Sequence, residues 1–595
     1  MRSNTPITIL CGALVLFGGW IKSEKILASV APIVQLLQTS EPPVIIRCPQ
    51  ADPLFPTVHS KLSKQIDLVY SSQAFKLASY QLLGNSIRIP TESYDDLLPV
   101  GQDERWDIFK KLHAYLEESF PLIYSTLRVT TINTYGLVFH WQGSNDSVKP
   151  LLLTAHQDVV PVDWSNEGQW IHQPYSGYYD GTWIWGRGSV DDKADLIAQL
   201  ITVNSLIEAG FQPQRTIVLA FGFDEEASGT EGAGKLAVYL EERYGKNAFV
   251  MLLDEGGSYV LTGLSSSACA STVICLASQE GYAENVREGT IFALPGVSEK
   301  GYFDASIQIF TPGGHSSIPP HHTSIGLLSL LIVSLEANPY NPRLTRNGTA
   351  FAAAQCAVAH SPEGRLPPSL KELARRAMDP SDEIALEEFA KILFKAVPFF
   401  DILSRTTQAV DLISGGVKSN ALPEQAEAII NHRIAEHSST SEIHNHITDL
   451  VLPFAVMHNL SVHAFGKDVD SDYQDSELGK IVLSEAFYST LEPSPVTPIT
   501  DNHMYDVLSG TIKATLQSSS RYQADDVVVT PSLGLGNTDT RFYWNLTRNI
   551  FRYSHRGDKD DKYNGIHTIN EAIRGESFIE QIRFFTRLIL NMDEL

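Results

Sequence analysis

The sequence predicts an α/β domain on a largely parallel sheet, interrupted by a smaller, ferredoxin-like α+β domain. Three observations predict it. Between Leu151 and Asp254, short apolar runs read as strands buried on both faces, and they alternate with helix-spaced segments. Near residue 300 the pattern changes: Tyr302–Phe310 alternates like a half-exposed antiparallel strand. After about residue 470 the strand–helix alternation resumes, so the second unit lies inside the first. At 595 residues the chain is also too long for one core.

Taken in order, residues 6–21 form an uncharged apolar stretch behind Arg2. It reads as an uncleaved signal anchor over residues 1–25, with a cleaved signal as the alternative. Residues 26–55 are Pro-interrupted and read as a stalk. The first part of the main domain spans 56–299. Helical spacing of Ile108, Leu112 and Leu116 predicts a helix over Asp103–Phe120. Leu127–Trp141, Pro150–Ala155, Thr216–Gly222 and Ala248–Leu253 read as strands, and Glu231–Arg243 as a helix. The segment Gly188-Ser-Val-Asp191 opens another helix, with Leu196, Leu200, Val203 and Ile207 as its buried stripe. The inserted domain spans 300–468. Its helices are Ser324–Glu336 and Ser441–Met457, and its later strands Ala426–Ile434 and Leu460–Gly466. Residues 345–410 read as a mostly helical insertion within it, and 469–595 complete the main domain.

A net charge of −24 argues against a nucleic-acid partner, which needs clustered Lys and Arg. Five scattered cysteines contain no C-x-x-C pair, so a thiolate zinc site is not expected. Cys48, Cys269, Cys275 and Cys356 are open to pairing in any combination. The sequons at Asn145, Asn347, Asn459 and Asn545 are glycosylation candidates and fit a secretory route.

Four sets of possible ligands recur at intervals of about thirty residues, three of them after a short apolar run: His156-Gln-Asp158, Gly186-Arg-Gly-Ser-Val-Asp191-Asp-Lys, Asp224-Glu225-Glu226 and Leu252-Leu-Asp254. The C-terminal rim of an open α/β sheet is where such residues converge. One imidazole with several carboxylates suits a divalent ion such as zinc. Singly, each set has a plainer reading: a loop, the solvated start of a helix, a cap or a surface histidine. Together they predict a metal centre.

These ordered motifs resemble the co-catalytic di-zinc metallopeptidases of the aminoacylase, acetylornithine deacetylase and succinyl-diaminopimelate desuccinylase type. Within that family they resemble the fungal vacuolar carboxypeptidase S branch. The resemblance covers about residues 55–595. It implies two Zn2+ per subunit, with His156 and Asp254 on one ion, Asp191 bridging, and Glu226 on the other. His567, in Gly565-Ile-His567-Thr-Ile-Asn-Glu571, would be the fifth ligand, in preference to His555. A cis peptide after Asp191 is also implied. Glu225 cannot readily share its neighbour's ion, which leaves it free as general base. Asp158 can accept the other ring N–H of His156. The inserted domain resembles the family's lid, or dimerisation, domain. There His315, in Thr311-Pro-Gly-Gly-His315, would stabilise an oxyanion, in some members from a partner subunit, so a homodimer is one expected assembly. Asn420 and Arg433 match substrate-contacting positions, Arg433 being suited to a substrate carboxylate. Gly536-Asn-Thr-Asp539-Thr-Arg541 resembles a further substrate-side loop.

The resemblance therefore implies a carboxypeptidase acting on short peptides with a free C-terminal carboxylate. It would be held at a vacuolar membrane or lumen as a single-pass type II protein. Two other functions compete. An N-acyl-amino-acid hydrolase cleaves the same amide beside the same carboxylate, and a non-catalytic membrane glycoprotein would keep only the fold.

Overall fold

A computed structural model of the chain describes residues 48–261, 290–361, 366–469, 478–521, 526–557 and 561–595. The expected signal anchor and most of the stalk, as well as Cys11, Cys269 and Cys275, lie outside the described residues. Among the described residues no helix is long and apolar enough to cross a membrane.

Among the described residues the main sheet has ten strands. Leu151–His156 lies between Ile217–Gly222 and Met251–Leu261 and is parallel to both; Ile550–Gly557 then pairs parallel with Met251–Leu261. The single expected strand Leu127–Trp141 is an antiparallel hairpin, Arg128–Ile132 with Gly136–Trp141, at the sheet's edge. Side chains alternate between two cores, as strand geometry requires. Leu151, Leu153, Leu219 and Leu253 face helices Lys193–Glu208, Gln73–Ile87 and Gly575–Asp593. Leu152, Val218, Ala220 and Leu252 face Leu236 and Leu240 of helix Ala233–Tyr244. Each fully buried Leu contributes about 1.5–3 kcal/mol relative to an exposed one.

Helix Lys193–Glu208 departs from the expected stripe. It is buried on nearly every side, while Ile207 is only half-buried. The reason is its position, packed between the sheet and helix Gly575–Asp593.

The second sheet has six strands in the order 407–415, 425–434, 301–310, 480–485, 461–464 and 467–468. Helices Ser324–Glu336 and Thr440–His458 cover one face, around Phe303, Ile307, Leu331, Ile430 and Ile447. Two details differ from expectation. Strand Lys480–Glu485 sits between 301–310 and 461–464, so this sheet extends past the boundary placed at residue 468. The helical insertion ends earlier than 410: after Pro398–Leu403 the chain enters strand Thr407–Gly415. That strand is an exposed edge with a register shift between Val410 and Leu412, so its alternation is broken and hard to read.

The insertion contributes helices Thr349–His360, Pro368–Arg376 and Glu383–Ala396. Cys356, on the first of these, is disulfide-bonded to Cys48 across 308 residues of sequence. Replacing both cysteines with Ser should lower stability by about 2–4 kcal/mol. Thermal unfolding of oxidised wild type and the double variant checks this, and superimposable melting curves would remove the bond from the native fold.

Candidate metal centre

The site forms where strands Leu151–His156 and Ile217–Gly222 end, beside residues 254–255 within the longer strand Met251–Leu261. His156 is the last residue of its strand and is buried. Its Nδ1 lies 3.1 Å from the Asp158 carbonyl oxygen and 3.2 Å from Asp158 Oδ1. On the other side of the ring, Nε2 faces Asp191 Oδ1 at 3.0 Å. The other Asp191 oxygen, Oδ2, lies 3.1 Å from His567 Nε2. Asp191 thus presents one oxygen to each histidine, and the Asp191–Asp192 peptide is cis. His567 Nε2 also lies 3.0 Å from Glu226 Oε1.

Asp158 does more than orient a ring. Its Oδ1 accepts the Glu225 N–H at 3.2 Å and its Oδ2 the Glu226 N–H at 3.1 Å, while Ser93 Oγ donates to Oδ2 at 2.5 Å. One buried carboxylate therefore positions both His156 and the Glu225–Glu226 turn.

Glu571 explains why two distant motifs occur together. Its Oε1 accepts N–H groups from Gly188 (3.1 Å), Val190 (2.9 Å) and Asp191 (3.3 Å), and its Oε2 pairs with Arg187 at 2.6 Å. The Asn-Glu pair after His567 thereby holds the loop that presents Asp191. In the sequence it stood only as context for His567. His567 itself takes a left-handed backbone, φ 58°, uncommon for a residue with a side chain. Its side chain is 47% exposed whereas that of His156 is 2% exposed, so the centre opens to solvent on the His567 side. His555 is a core residue: fully buried, stacked on Phe584, and its imidazole is held well below its usual pKa by burial and by Arg587.

At the expected ligand Asp254 the next residue comes nearer to His156. The buried Asp254 turns its Oδ1 to Thr154 Oγ1 at 2.7 Å, whereas Glu255 Oε1 comes within 3.4 Å of His156 Nε2. The cause is local. Arg552 pairs with Asp254 and Tyr553 with Gly257, so Glu255 and Gly256 are extra residues that leave the ladder and are re-aimed.

Among the described residues three groups of ligand atoms, each within 4.8 Å of one another, result: His156, Asp192 and Glu255; His156, Glu225 and Glu226; and Asp191, Glu226 and His567. Their electrostatics fit a divalent cation. Burial, then the charge of Asp191, pushes Glu255 up to about 8. Burial and Glu255 push Glu225 well above the usual carboxylate range, and burial raises Glu226 despite its bond to His567. Asp191 and Glu226 raise His567 to about 10, outweighing its burial. Carboxylates crowded this closely in a low-dielectric site are costly unless positive charge is shared among them.

The three expected substrate residues are not bonded to this cluster. His315 is exposed, with Nδ1 2.7 Å from Ser317 Oγ, on a two-strand ribbon opposite Ala421. Asn420, also exposed, accepts the Ser316 N–H through its carbonyl, so the fold brings His315 and Asn420 together. Arg433 is elsewhere, half-buried over the Tyr302 ring at 4.7 Å. Sequons Asn145, Asn347, Asn459 and Asn545 are all exposed.

Comparison with known proteins agrees with this architecture. The model of peptidase family M20/M25/M40 matches residues 152–591. Carboxypeptidase S of Saccharomyces cerevisiae is 36% identical over 552 residues, covering 92% of this chain and 89% of that protein. The N-fatty-acyl-amino acid synthase/hydrolase PM20D1 of Mus musculus is 29% identical over 530 residues, covering 88% and 89%. Among solved structures, human carnosine dipeptidase 1 superposes with a TM-score of 0.56 at 15% identity, over 91% of this chain and 100% of that one. The M20 family metallo-carboxypeptidase Sso-CP2 of Sulfolobus solfataricus gives 0.53 at 16%, over 87% and 99%. With its fold and ordered site motifs in agreement, the chain belongs to peptidase family M20/M25/M40.

Proposed function

We propose that the protein is a metal-dependent carboxypeptidase that releases C-terminal residues from short peptides. The observation that carries this reading is Asp191, whose two oxygens face two different histidines beside Glu225 and Glu226. His156 and Glu255 would hold one zinc ion, Glu226 and His567 the other, and Asp191 would lie between them. When bound, such a pair of ions polarises a carbonyl and acidifies water. The protein's own groups perform the proton work. Glu225 accepts a proton from the attacking water as oxygen adds to the scissile carbonyl carbon, then delivers it to the departing amine nitrogen as the C–N bond breaks. Asp158 keeps the Glu225–Glu226 turn and the His156 ring in register while this happens.

The relation to carboxypeptidase S supports peptide substrates, and that to PM20D1 supports N-acyl amino acids as the second reading. Rates on an N-blocked dipeptide and on a long-chain N-acyl amino acid, measured with zinc-loaded protein, separate them. The first reading expects at least tenfold higher kcat/KM on the dipeptide, and the reverse ratio would replace it.

The placement of His315 and Arg433 in the inserted domain supports a homodimer. Arg433 pairs with Tyr302 at one end of the central strand, and His315 follows Phe310 at the other. Those ends are roughly 26 Å apart at about 3.3 Å per residue. That separation along the strand favours His315 and Asn420 serving a second copy's centre. The exposed edge strand Thr407–Gly415, with Leu412 and Ile413, offers a pairing surface. Light scattering tests this, and a strictly monomeric active enzyme would dismiss it.

Residues 6–21 would anchor the chain as a type II protein with its body in a vacuole-type lumen. The disulfide and the exposed sequons support that side of the membrane. A glycosidase-sensitive mass shift is expected, and an unglycosylated native protein would count against it.

A further inference from the structure

The described residues contain a buried polar chain that runs from the junction between the two domains to the turn carrying Glu225 and Glu226. It begins at Glu299, one residue before the chain crosses from strand Gly296–Glu299 into Gly301–Phe310 of the second sheet. The returning segment is bound to the same place. Ser494 N donates to the Glu299 carbonyl at 3.1 Å and Glu299 N to Ser494 Oγ at 2.7 Å, while Tyr302 and Leu491 exchange backbone bonds. The Glu299 carboxylate points the other way, into the main domain. Its Oε1 accepts from Thr538 N and Oγ1, both at 3.0 Å. Its Oε2 accepts from Thr540 Oγ1 at 3.0 Å and pairs with Arg552 at 2.9 Å. Arg552 Nε and Nη2 also donate to Thr540 Oγ1, at 3.0 and 2.7 Å. Asn537 Nδ2 donates to the Lys300 carbonyl at 2.6 Å. All three side chains Glu299, Thr540 and Arg552 are buried.

The loop Asn537–Arg541 held in this way rests on the catalytic turn. Asp539 lies so close to Gly222 that a Cβ there would come within 2.6 Å of its Oδ2, and Gly229 has the same relation to Oδ1. Arg541 donates to the Ser228 carbonyl. Gly222 and Gly229 flank the segment containing Glu225 and Glu226, so both ends of that segment bear on the loop. A close-packed contact of this kind has no slack, and a displacement at one end is passed on.

We infer that Glu299, Thr540 and Arg552 are positioning residues that couple the orientation of the inserted domain to the placement of Glu225 and Glu226. This deepens the proposed function, because it rests on Glu225 acting as the base. None of the three touches substrate; each acts through the Asn537–Arg541 loop. Thr540 is the informative member, since its hydroxyl donates to the carboxylate and accepts twice from the guanidinium, and it can be removed without taking a charge from the buried pair.

The test uses the full, zinc-loaded chain with Thr540→Val, which removes the hydroxyl at nearly constant volume, and Thr540→Ser, which restores it. Hydrogen exchange of a peptide covering Phe223–Gly232 reads the coupling without any need for turnover. Thr540→Val is expected to accelerate its exchange at least tenfold and lower kcat at least tenfold. KM, zinc content and exchange in the inserted sheet should stay within twofold of wild type, and Thr540→Ser should match wild type throughout. Unchanged exchange in Thr540→Val overturns the inference, as does a fall in activity matched by equal loss of zinc. Should wild type cleave neither test substrate while the exchange difference is present, the functional reading fails and the coupling stands. If Thr540→Val does not fold, Glu299→Gln supplies the same measurements, with the same outcomes deciding.

Discussion

Glu225→Gln should reduce kcat by about a thousandfold, within the range that a positioned acid–base group supplies, while the variant still binds two zinc ions. The amide keeps the shape of the side chain and removes its basicity. Glu225 lies in the group with His156 and Glu226, but its backbone is held independently by Asp158, so the substitution leaves the turn in place. Metal analysis alongside single-turnover kinetics makes the measurement. A variant with near wild-type kcat would remove Glu225 from proton transfer. A variant that loses a zinc ion instead would make it a ligand, the role its closeness to His156 also permits. Retention of metal with loss of rate separates the two.

The second large effect distinguishes neighbours. Glu255→Ala should weaken zinc binding by more than about 100-fold, beyond the 10–100-fold that loss of an outer partner costs. Asp254→Asn should keep both ions, because its amide oxygen can still accept the Thr154 hydroxyl hydrogen bond. Competition with a chelator of known affinity measures both. The opposite result, with Asp254→Asn losing zinc and Glu255→Ala keeping it, would restore Asp254 as the ligand and require the strand end to rearrange on metal binding. The expected contrast comes from geometry alone. The two residues have the same chemistry, and the bulge after Asp254 turns only Glu255 toward His156.

Much of the centre was legible in the sequence. His156, Asp191, Glu226 and His567 were named from motif order, and the fold brings their ligand atoms into overlapping groups. They were readable because a strand end or a glycine-rich turn marks each position, and such punctuation survives in linear form. The resemblance puts Asp254 on the metal, whereas Glu255 is the residue that approaches His156 in the structure, because strand periodicity holds only while the ladder is regular. The edge strand Thr407–Gly415 was missed for the same reason, being both exposed and bulged. Lys480–Glu485 was placed in the wrong domain because its partners, 301–310 and 461–464, are distant or parallel, and nothing local records such pairing.

What the sequence by itself determined was chemistry and order: an α/β chain with an insertion, a histidine–carboxylate set, and a fifth position at His567 beyond the insertion. Periodicity and turn residues are local properties and carry the fold class, while the place of His567 in the set is what the family resemblance implies. The tertiary structure alone decided which carboxylate faces His156 at residues 254–255, that Glu571 holds the Asp191 loop, and that Asp158 bonds both the His156 ring and the Glu225–Glu226 turn. It also decided that His315 and Arg433 stand at opposite ends of one sheet. Each of these depends on contacts between segments far apart in the chain, where direction is set by packing and register rather than by residue type.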